Sequence, residues 1–350
     1  MIRIENISKD LGEFFLSNVS LEIYDKEYFV ILGPTGAGKS ILLETIAGIF
    51  LPDKGRIFSN NRDITHIPPR ERNIGMVYQD YILFPFLTVE ENIGFGLKTK
   101  KVDKNEIKRK VEKLEELLGV THLAHRYPST LSGGEQQKVA IARAIATEPD
   151  ILLLDEPLSA LDSRTKYHLR EELKRVKKEF NITVIHVTHD QTEAMALADR
   201  IAIVMQGKLV QVGTPAEIFN KPLNDKIAEF VGIENILNGK ICKNEGGLAE
   251  IEVEPYGKIF AFSDFDNGNV KICIRPEDII ISKNNSDNSA QNIISGNIAE
   301  MEDLGALTRI RLDNDLVSMV TKRSKETLKL REGTQVYAIF KATSAHIVPD

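Results

Sequence analysis

The segment GPTGAGKS (33–40) constrains the fold of this chain more than any other feature. The apolar, β-prone run YFVIL (28–32) precedes it and an apolar helical pattern follows from Lys39, so the segment joins a strand to a helix. Glycines at positions 33, 36 and 38 let the backbone curl so that successive N–H groups point inward at an anion. The N-terminus of the following helix adds a positive dipole end. The pattern therefore predicts a phosphate-binding loop.

The side chains of this loop suit a nucleotide with a divalent cation. Lys39 is expected to reach the β- and γ-phosphates, and the Ser40 hydroxyl is a hard oxygen ligand for Mg²⁺. ATP and Mg²⁺ are therefore the expected cofactors. The residues predicted to form the cradle are Gly33, Pro34, Thr35, Gly36, Ala37, Gly38, Lys39 and Ser40.

The run ILLLDE (151–156) supplies the second half of such a site. Its apolar residues predict a buried strand whose C-terminal end carries two adjacent carboxylates. Because successive strand side chains point in opposite directions, the two can have different functions. Asp155 is predicted to hold Mg²⁺, directly or through water, and Glu156 to orient and deprotonate the attacking water.

The segment LSGGEQQKVAIARA (131–144) indicates a second anion site. The small residues Ser132, Gly133 and Gly134 precede a helix rich in Ala and polar residues, so the N-terminus of that helix is available to an anion. A helical insertion separates this segment from the phosphate loop within one chain. The arrangement is reasonable if two copies pack head to tail and each closes the nucleotide site of the other.

Residues 1–230 show apolar strands alternating with helices, which predicts a largely parallel sheet covered on both faces. Within them, about 88–145 form a helical insertion, where Ile107, Val111, Leu114 and Leu118 make one apolar stripe. The run 200–213 is hairpin-like, with a turn at Gln206-Gly207.

Residues 231–350 contain short strands and an internal repeat, because NILNGKI (235–241) recurs as NIISGNI (292–298). Two related all-β units, small barrels of the oligomer-binding type, are the simplest interpretation. The Asn- and Ser-rich stretch 283–292 is predicted to be a surface loop between them. Cys242 and Cys273 each lie in a strand-like run and are predicted to be buried, unpaired packing residues.

Composition narrows the class of partner. The formal net charge of −6 argues against nucleic acid as the main partner, because duplex-binding surfaces carry excess Lys and Arg. No stretch approaches the roughly 18 apolar residues that would span a bilayer. The N-terminal segment has no apolar core of a secretory signal. These observations favour a protein of the cytoplasm.

The motifs together resemble the ATP-binding subunits of ABC transporters. LSGGEQQ resembles their signature, VYQ (77–79) the glutamine loop, SALD (159–162) the D-loop and HVTHD (186–190) the switch-histidine loop, all in the expected order. The resemblance implies an α/β P-loop nucleotide-binding domain with a RecA-like core plus a helical subdomain, and an all-β domain of two OB-like or molbindin-like barrels after it.

The resemblance also assigns functions to individual residues. It implies that Gln79 contacts Mg²⁺ and the attacking water, and that His189 contacts the γ-phosphate. It implies that Asp162 links the two sites of a homodimer. The signature residues implied to bind the partner subunit's nucleotide are Ser132, Gly133, Gly134 and Gln136. One departure concerns Leu11, which stands where related subunits commonly stack an aromatic ring on adenine; Phe14 and Phe15 follow.

The tail resembles the regulatory domain of importer ATPases, and the whole chain resembles archaeal molybdate/tungstate importer ATPases. This implies a membrane permease and an external binding protein as partners, a peripheral place on the cytoplasmic face of the membrane, and feedback inhibition by accumulated oxyanion. The donors implied for a molybdate or tungstate dianion are Thr321, Ser324, Lys341, Thr343 and Ser344. Gln291 departs from the family pattern, which has an arginine there.

Three alternatives stay open at this point. The cargo of such an importer could instead be sulfate, a sugar, a polyamine or ferric iron. A non-transport ABC ATPase of translation or DNA repair is disfavoured, because the chain has one phosphate loop and no long heptad coiled coil. A molybdate sensor or store is disfavoured by the intact hydrolytic residues.

Overall fold

The computed structural model describes residues 1–284 and 290–350, which divide into the units Met1–Pro215 and Ala216–Asp350. The division precedes the boundary predicted at residue 230. The strands of the first unit are β1 Ile2–Asp10, β2 Phe15–Ile23, β3 Tyr28–Leu32, β4 Lys54–Ser59, β5 Arg62–Asp63, β6 Ile74–Val77, β7 Ile151–Asp155, β8 Thr183–Thr188, β9 Arg200–Met205 and β10 Lys208–Gly213. Its helices are α1 Lys39–Ala47, α2 Val89–Thr99, α3 Lys104–Leu117, α4 Gly133–Ile145, α5 Ser163–Phe180 and α6 Gln191–Leu197.

The main sheet of the first unit has the strand order β10-β9-β3-β8-β7-β6. Strand β10 pairs antiparallel with β9, and the other neighbours run parallel. Every residue of β3 and β7 is buried, as expected for strands covered on both faces. The predicted parallel α/β core is confirmed, and its strands end at one common edge.

A second sheet, with the order β2-β1-β4-β5, was not predicted. Its strands pair antiparallel, and Ile2, Ile4 and Ile7 of β1 are buried in the same core cluster as the main sheet. The signal was the alternation of apolar and polar residues at the N-terminus, which is typical of a half-buried strand.

The predicted helical region contains α2, α3 and α4. On α3 the apolar stripe faces inward, with Val111 and Leu114 buried and Leu118 buried at the end of the helix. Thr88 caps α2 through a reciprocal pair of bonds with Glu91, which explains why the helix begins there.

The predicted hairpin between β9 and β10 is confirmed. Gln206 and Gly207 have φ angles of 48° and 70°, the left-handed values that a two-residue turn of this type requires.

The second unit is mostly β-structure. Its strands are β11 Asn235–Glu245, β12 Leu248–Val253, β13 Gly257–Phe262, β14 Gly268–Ile274, β15 Ile280–Ser282, β16 Asn292–Leu304, β17 Leu307–Leu312, β18 Val317–Thr321, β19 Gln335–Phe340 and β20 Ala345–Pro349. Its helices are α7 Pro215–Asn220, α8 Asp225–Phe230 and α9 Lys322–Thr327, with Pro215 at the boundary of the units. The predicted all-β tail is confirmed.

The two repeats of this unit exchange their last strands. The sheets have the orders β13-β12-β11-β14-β20 and β15-β19-β16-β17-β18. Strand β15 of the first repeat therefore pairs with β19 of the second, and β20 of the second repeat pairs with β14 of the first. The repeats share one hydrophobic core and do not stand as independent units.

The repeated asparagine has the same function in both copies. Asn235 accepts a bond from Val317 N at 2.7 Å and donates to Val317 O at 2.9 Å. Asn292 accepts from Phe260 N at 2.7 Å and donates to Phe260 O at 2.9 Å. Each amide thus satisfies the backbone of a strand from the other repeat, which explains why this residue recurs.

The two cysteines of the tail differ in exposure. Cys273 is buried as predicted, but Cys242 is exposed, because its side chain lies on the solvent face of β11. Of the predicted loop 283–292, residues 285–289 lie outside the described residues.

In the part of the chain that the structure describes, no helix is both long and apolar enough to span a membrane.

Replacing Asn235 by alanine leaves the buried N–H and C=O of Val317 without these partners, and replacing Asn292 does the same to the half-buried N–H and C=O of Phe260. We expect each change to lower the free energy of unfolding by about 1–3 kcal/mol. Urea denaturation of the full chain, with hydrogen exchange to locate the change in the tail, measures the effect. The exposed Asn238 on β11 gives a matched control, Asn238→Ala. If all three variants are equally stable, the two asparagines do not join the repeats.

Candidate nucleotide site

The site lies where β3, β7 and β8 end. Leu32 pairs with Thr188, and Asp155 pairs with Val187, so these three parallel strands finish side by side. The phosphate loop follows β3, Glu156 follows β7 and His189 follows β8. Parallel pairing therefore brings the phosphate loop together with side chains that are more than a hundred residues away in the sequence.

The backbone of the phosphate loop requires its glycines. A Cβ at Gly33 would lie 2.1 Å from Val204 O on β9, so no larger residue fits there without displacing that strand. Gly36 and Gly38 have φ angles of +80° and +95°, in the left-handed region that favours glycine. Pro34, Thr35 and Ala37 lie in this loop, and Lys39 and Ser40 begin helix α1.

Lys39 is held against its own loop. Its Nζ donates to Gly33 O and to Pro34 O, each at 2.9 Å, and lies 4.0 Å from Glu156 Oε1. The side chain is only 5% exposed. Burial lowers the pKa of Lys39, and the negative charges of Glu156 and Asp155 oppose that shift. The ammonium group thus sits between the loop and the carboxylates, where an anion would contact it.

Ser40 and Asp155 are in direct contact. The Ser40 hydroxyl donates to Asp155 Oδ1 at 3.0 Å. Burial raises the pKa of Asp155, with a further contribution from Glu156, whereas Ser40 and Lys39 favour the ionised form. Two hard oxygen ligands thus converge beside the loop, which is the donor set that suits Mg²⁺.

Glu156 lies between the lysine and the histidine. Its Oε2 is 3.1 Å from His189 Nδ1. The Glu156 side chain is 16% exposed, whereas His189 is 49% exposed. The backbone of Glu156 has φ 43°, an uncommon value for a residue with a Cβ. A bond from Glu156 N to Val187 O of 2.9 Å holds this conformation, which aims the carboxylate into the site.

A buried polar network behind His189 was not predicted. His186 on β8 is fully buried and shares a hydrogen bond of 2.9 Å with the Tyr28 hydroxyl. Glu193 Oε2 lies 3.5 Å from His186 Nε2 and accepts from the Thr188 hydroxyl at 2.7 Å. These contacts fix the end of β8 from which His189 extends. The signal in the sequence was His186, a polar residue inside an otherwise apolar strand.

Gln79 is exposed and lies two residues beyond the end of β6, the strand next to β7. It therefore stands at the same edge of the sheet. Phe14 is also close to the loop, because a Cβ at Gly36 would lie 3.9 Å from Phe14 Cε1. Leu11 and Phe14 are each about half exposed.

The signature residues begin α4 and do not join the phosphate loop. Ser132 caps this helix in a reciprocal pair with Glu135, whose pKa these bonds lower. A Cβ at Gly134 would lie 2.8 Å from Thr165 Cγ2, so α5 packs closely there. Gln136 donates to Pro128 O and Leu131 O. Within residues 1–284 and 290–350, no hydrogen bond links these residues to the loop 33–40.

Asp162 caps helix α5. Its carboxylate accepts from Arg164 N at 3.0 Å, from Thr165 N at 3.1 Å and from the Thr165 hydroxyl at 2.6 Å. These bonds, that of the Thr165 side chain first, lower the pKa of Asp162. The aspartate before a helical pattern was a capping signal that the sequence interpretation did not use.

The predicted oxyanion residues form two groups. Thr321 caps α9, and its hydroxyl lies 2.8 Å from the Ser324 hydroxyl. Lys341, Thr343 and Ser344 lie in the turn between β19 and β20.

These two groups lie at opposite ends of β16, a strand of 13 residues. Thr321 pairs with Leu307, which pairs with Leu304 at the end of β16. Phe340, just before Lys341, pairs with Asn292 at the start of β16, next to Gln291. One chain therefore does not bring the two groups into a single site.

The sequence of this chain is similar to known protein families. The family model described as ABC transporter matches residues 16–159. The model described as TOBE domain matches residues 288–347. The chain is 46% identical over 356 residues to a molybdate/tungstate import ATP-binding protein of Pyrococcus horikoshii, with 100% of both chains covered.

The chain belongs to the ABC transporter family.

Other relatives of this family extend the comparison. A Fe(3+) ions import ATP-binding protein of Fusobacterium nucleatum is 37% identical, over 95% of this chain and 91% of the relative. A solved structure described as the dimeric, post-hydrolysis state of the ATP-binding cassette MJ0796, bound to ADP and Pi, is 33% identical. It superposes with a TM-score of 0.56 over 61% of this chain and 99% of its own. The chain is thus an ABC ATPase, which binds ATP and couples its hydrolysis to transport.

The position of Phe14 generates a prediction about base recognition. If its ring stacks on adenine, Phe14→Ala weakens ATP binding by about 1–3 kcal/mol, because stacking on an aromatic ring is lost. Binding of tripolyphosphate, which has no base, is expected to stay unchanged. Titration calorimetry measures both, with Leu11→Ala as the matched control. A parallel loss of ATP and tripolyphosphate affinity would mean that Phe14 supports the loop and does not contact the base.

Proposed function

We propose that this chain is the ATP-hydrolysing subunit of an importer for molybdate or tungstate. It works as a homodimer on the cytoplasmic face of the membrane, with a membrane permease and an extracytoplasmic binding protein as partners. The observation that carries this proposal is the cluster of Lys39, Ser40, Asp155, Glu156 and His189 at one edge of the sheet, in a chain that matches the molybdate/tungstate relative from end to end.

Hydrolysis follows from this cluster. Glu156 accepts the proton of the attacking water, because its carboxylate is aimed into the site by a strained backbone and lies 3.1 Å from His189 Nδ1. Lys39 and the N–H groups of the loop stabilise the charge that develops on the phosphates. His189 orients Glu156 and contacts the γ-phosphate, and Gln79 approaches the same water from the neighbouring strand.

Ser40 and Asp155 would hold Mg²⁺. Magnesium in nucleotide enzymes is bound through one or two side chains together with phosphate oxygens, so this pair is sufficient. When bound, the ion neutralises charge on the β- and γ-phosphates.

A complete site needs two chains. In the described part of the chain, no hydrogen bond joins Ser132, Gly133, Gly134 or Gln136 to the phosphate loop, yet these residues present a helix N-terminus suited to an anion. In a head-to-tail homodimer they close the nucleotide of the partner chain, and Asp162 lies between the two sites. The ABC cassette that superposes on this chain is dimeric, which supports the arrangement.

The permease docks on an exposed apolar surface, the aromatic surface, formed by Ile82, Phe84, Phe86 and Phe95. Phe86 is 72% exposed and Ile82 56%. The Phe84 ring lies 4.4 Å from that of Phe95 and 6.1 Å from that of Phe86, measured between centroids. Exposed apolar clusters of this kind mark interaction sites, and this one begins three residues after Gln79.

Oxyanion regulation also requires two chains. Thr321 and Ser324 of one tail and Lys341, Thr343 and Ser344 of another can converge on one dianion, since they lie at opposite ends of β16 in a single chain. Bound oxyanion then holds the ATPase dimer in a state that does not hydrolyse. Gln291, next to the strand pair that precedes Lys341, would donate a neutral hydrogen bond to the oxyanion where the family pattern has a charged arginine.

A second candidate cargo is ferric iron, since the Fusobacterium nucleatum relative named for Fe(3+) import covers nearly the whole chain at 37% identity. The higher identity of the molybdate/tungstate relative and the hydroxyl and lysine donors of the tail favour an oxyanion. Hydroxyl and ammonium groups donate hydrogen bonds, which suits an anion.

Glu156→Gln is expected to bind ATP and form a stable dimer but to hydrolyse about 10²–10⁴-fold more slowly, because the general base is lost. Lys39→Ala is expected to lose nucleotide affinity. Phosphate release and calorimetry measure the two effects. Glu171→Gln, an exposed acid on α5, is the control. A Glu156→Gln chain that turns over at the wild-type rate would remove Glu156 from the mechanism.

Calorimetry of the full chain with molybdate, tungstate and sulfate tests the cargo. We expect the first two to bind and to slow ATP hydrolysis, with Lys341→Ala and Thr321→Ala each abolishing both effects. In a two-fold dimer the shared site occurs twice, so binding of two oxyanions per dimer that is lost when the chain is monomeric would accord with the shared site. Binding of ferric iron in place of all three anions would favour the second candidate.

A further inference from the structure

A cavity of about 740 Å³ lies between α2 and α3, away from the nucleotide site. Its lining is partly apolar, with Ile107, Val111 and Ala124, and includes the acidic residue Glu115. The charged residues around its rim are Glu90, Glu91, Lys98, Lys104, Lys108, Glu112 and His125. The mechanism of hydrolysis uses none of them.

Glu115 is the unusual member of this set. It is only 3% exposed, although acidic side chains are almost never buried unless they are paired. Among the described residues, Oε1 of Glu115 has no hydrogen-bond partner. The two nearest acids on the rim are already occupied, since Glu90 lies 3.3 Å from His125 and Glu112 lies 3.8 Å from Lys108.

An unpartnered buried carboxylate lowers stability, and an apolar residue of similar volume at this position would be more stable. Its presence in a roomy, partly apolar cavity therefore calls for a partner that enters from outside. A group with an apolar stem and a cationic end would contact the apolar lining of the cavity and pair with the carboxylate of Glu115.

We propose that this cavity receives an arginine or lysine side chain of the membrane permease, whose charge pairs with Glu115. The inference rests on the proposed function, because it deepens the permease docking assigned above. The cavity adjoins the aromatic surface along α2, because Glu91 of its lining and Phe95 are four residues apart and so lie on neighbouring turns of one face. The permease thus buries apolar groups on the aromatic surface and places one cation beside them.

The ionisation of Glu115 supports this partner. Burial raises the pKa of Glu115 to about 7, with further contributions from Glu90 and Glu112, and His125 opposes the shift. A cation binds the ionised form, so association is expected to weaken as the pH falls from 8 to 6. The stability of the isolated chain should depend on pH in the opposite direction. The contribution of protonated Glu115 to stability is fully present below the ordinary glutamate pKa of 4.5, and it is lost as the pH rises through the raised pKa of about 7.

Glu115→Leu separates partner binding from a merely structural function. In the isolated full chain it should raise the midpoint temperature of unfolding and leave basal ATP hydrolysis unchanged. Binding of the chain to the permease in lipid nanodiscs is measured by interferometry. We expect Glu115→Leu to lower the affinity for the permease about tenfold or more, because the permease cation is left unpaired. Glu115→Gln should lower it too and should abolish the pH dependence. Glu116→Gln, an exposed acid next to it on α3, is the matched control.

A small probe tests the pocket without the permease. n-Butylguanidinium, which mimics an arginine side chain, should shift the NMR signals of residues around Glu115 in the wild-type chain and not in Glu115→Leu. The uncharged n-butylurea should shift neither.

The outcomes distinguish the two levels of the account. Equal permease affinity of wild type, Glu115→Leu and Glu116→Gln would overturn this inference and leave the proposed function intact. Failure of the wild-type chain to bind any permease would overturn both. A lower unfolding temperature for Glu115→Leu would also contradict the inference, because Glu115 would then be a stabilising residue.

Discussion

Parallel pairing of β3, β8 and β7 is the constraint on which the site depends. It brings Ser40 to 3.0 Å from Asp155 and Glu156 to 3.1 Å from His189, although these residues lie in three separate segments of the sequence. The close approach of β9 to Gly33 then fixes the loop against the sheet. Displacement of any one strand would separate the lysine, the carboxylates and the histidine. The geometry of the site therefore depends directly on the stability of the sheet.

Much of this could be predicted from the sequence, because short-range patterns determine it. A G-x-x-x-x-G-K-S segment between strand and helix, and a buried strand ending in two carboxylates, fix the phosphate loop and its neighbours with little dependence on the rest of the fold. Long-range consequences could not be predicted in this way. The antiparallel N-terminal sheet, the exposure of Cys242 and the exchange of β15 and β20 between repeats all depend on which strands meet in space.

The polar network of Tyr28, His186 and Glu193 and the buried Glu115 illustrate the same limit. These residues look ordinary in the sequence. Only their burial in the fold shows that placing their polar groups there costs free energy. Each unit also separates polar groups that are proposed to bind one ligand together. In the first unit these are the signature helix and the phosphate loop, and in the second they are Thr321 and Lys341. A second chain would complete both, so ATP hydrolysis and its regulation would depend on the same dimer.

The rate of ATP hydrolysis per chain, measured over a range of chain concentrations while sedimentation records the fraction of monomer, tests this account most directly. If each complete site takes its phosphate loop and its signature helix from different chains, as proposed, the rate per chain should fall toward zero as the monomer comes to dominate. A rate per chain that stays constant in solutions shown to be monomeric would contradict the shared site.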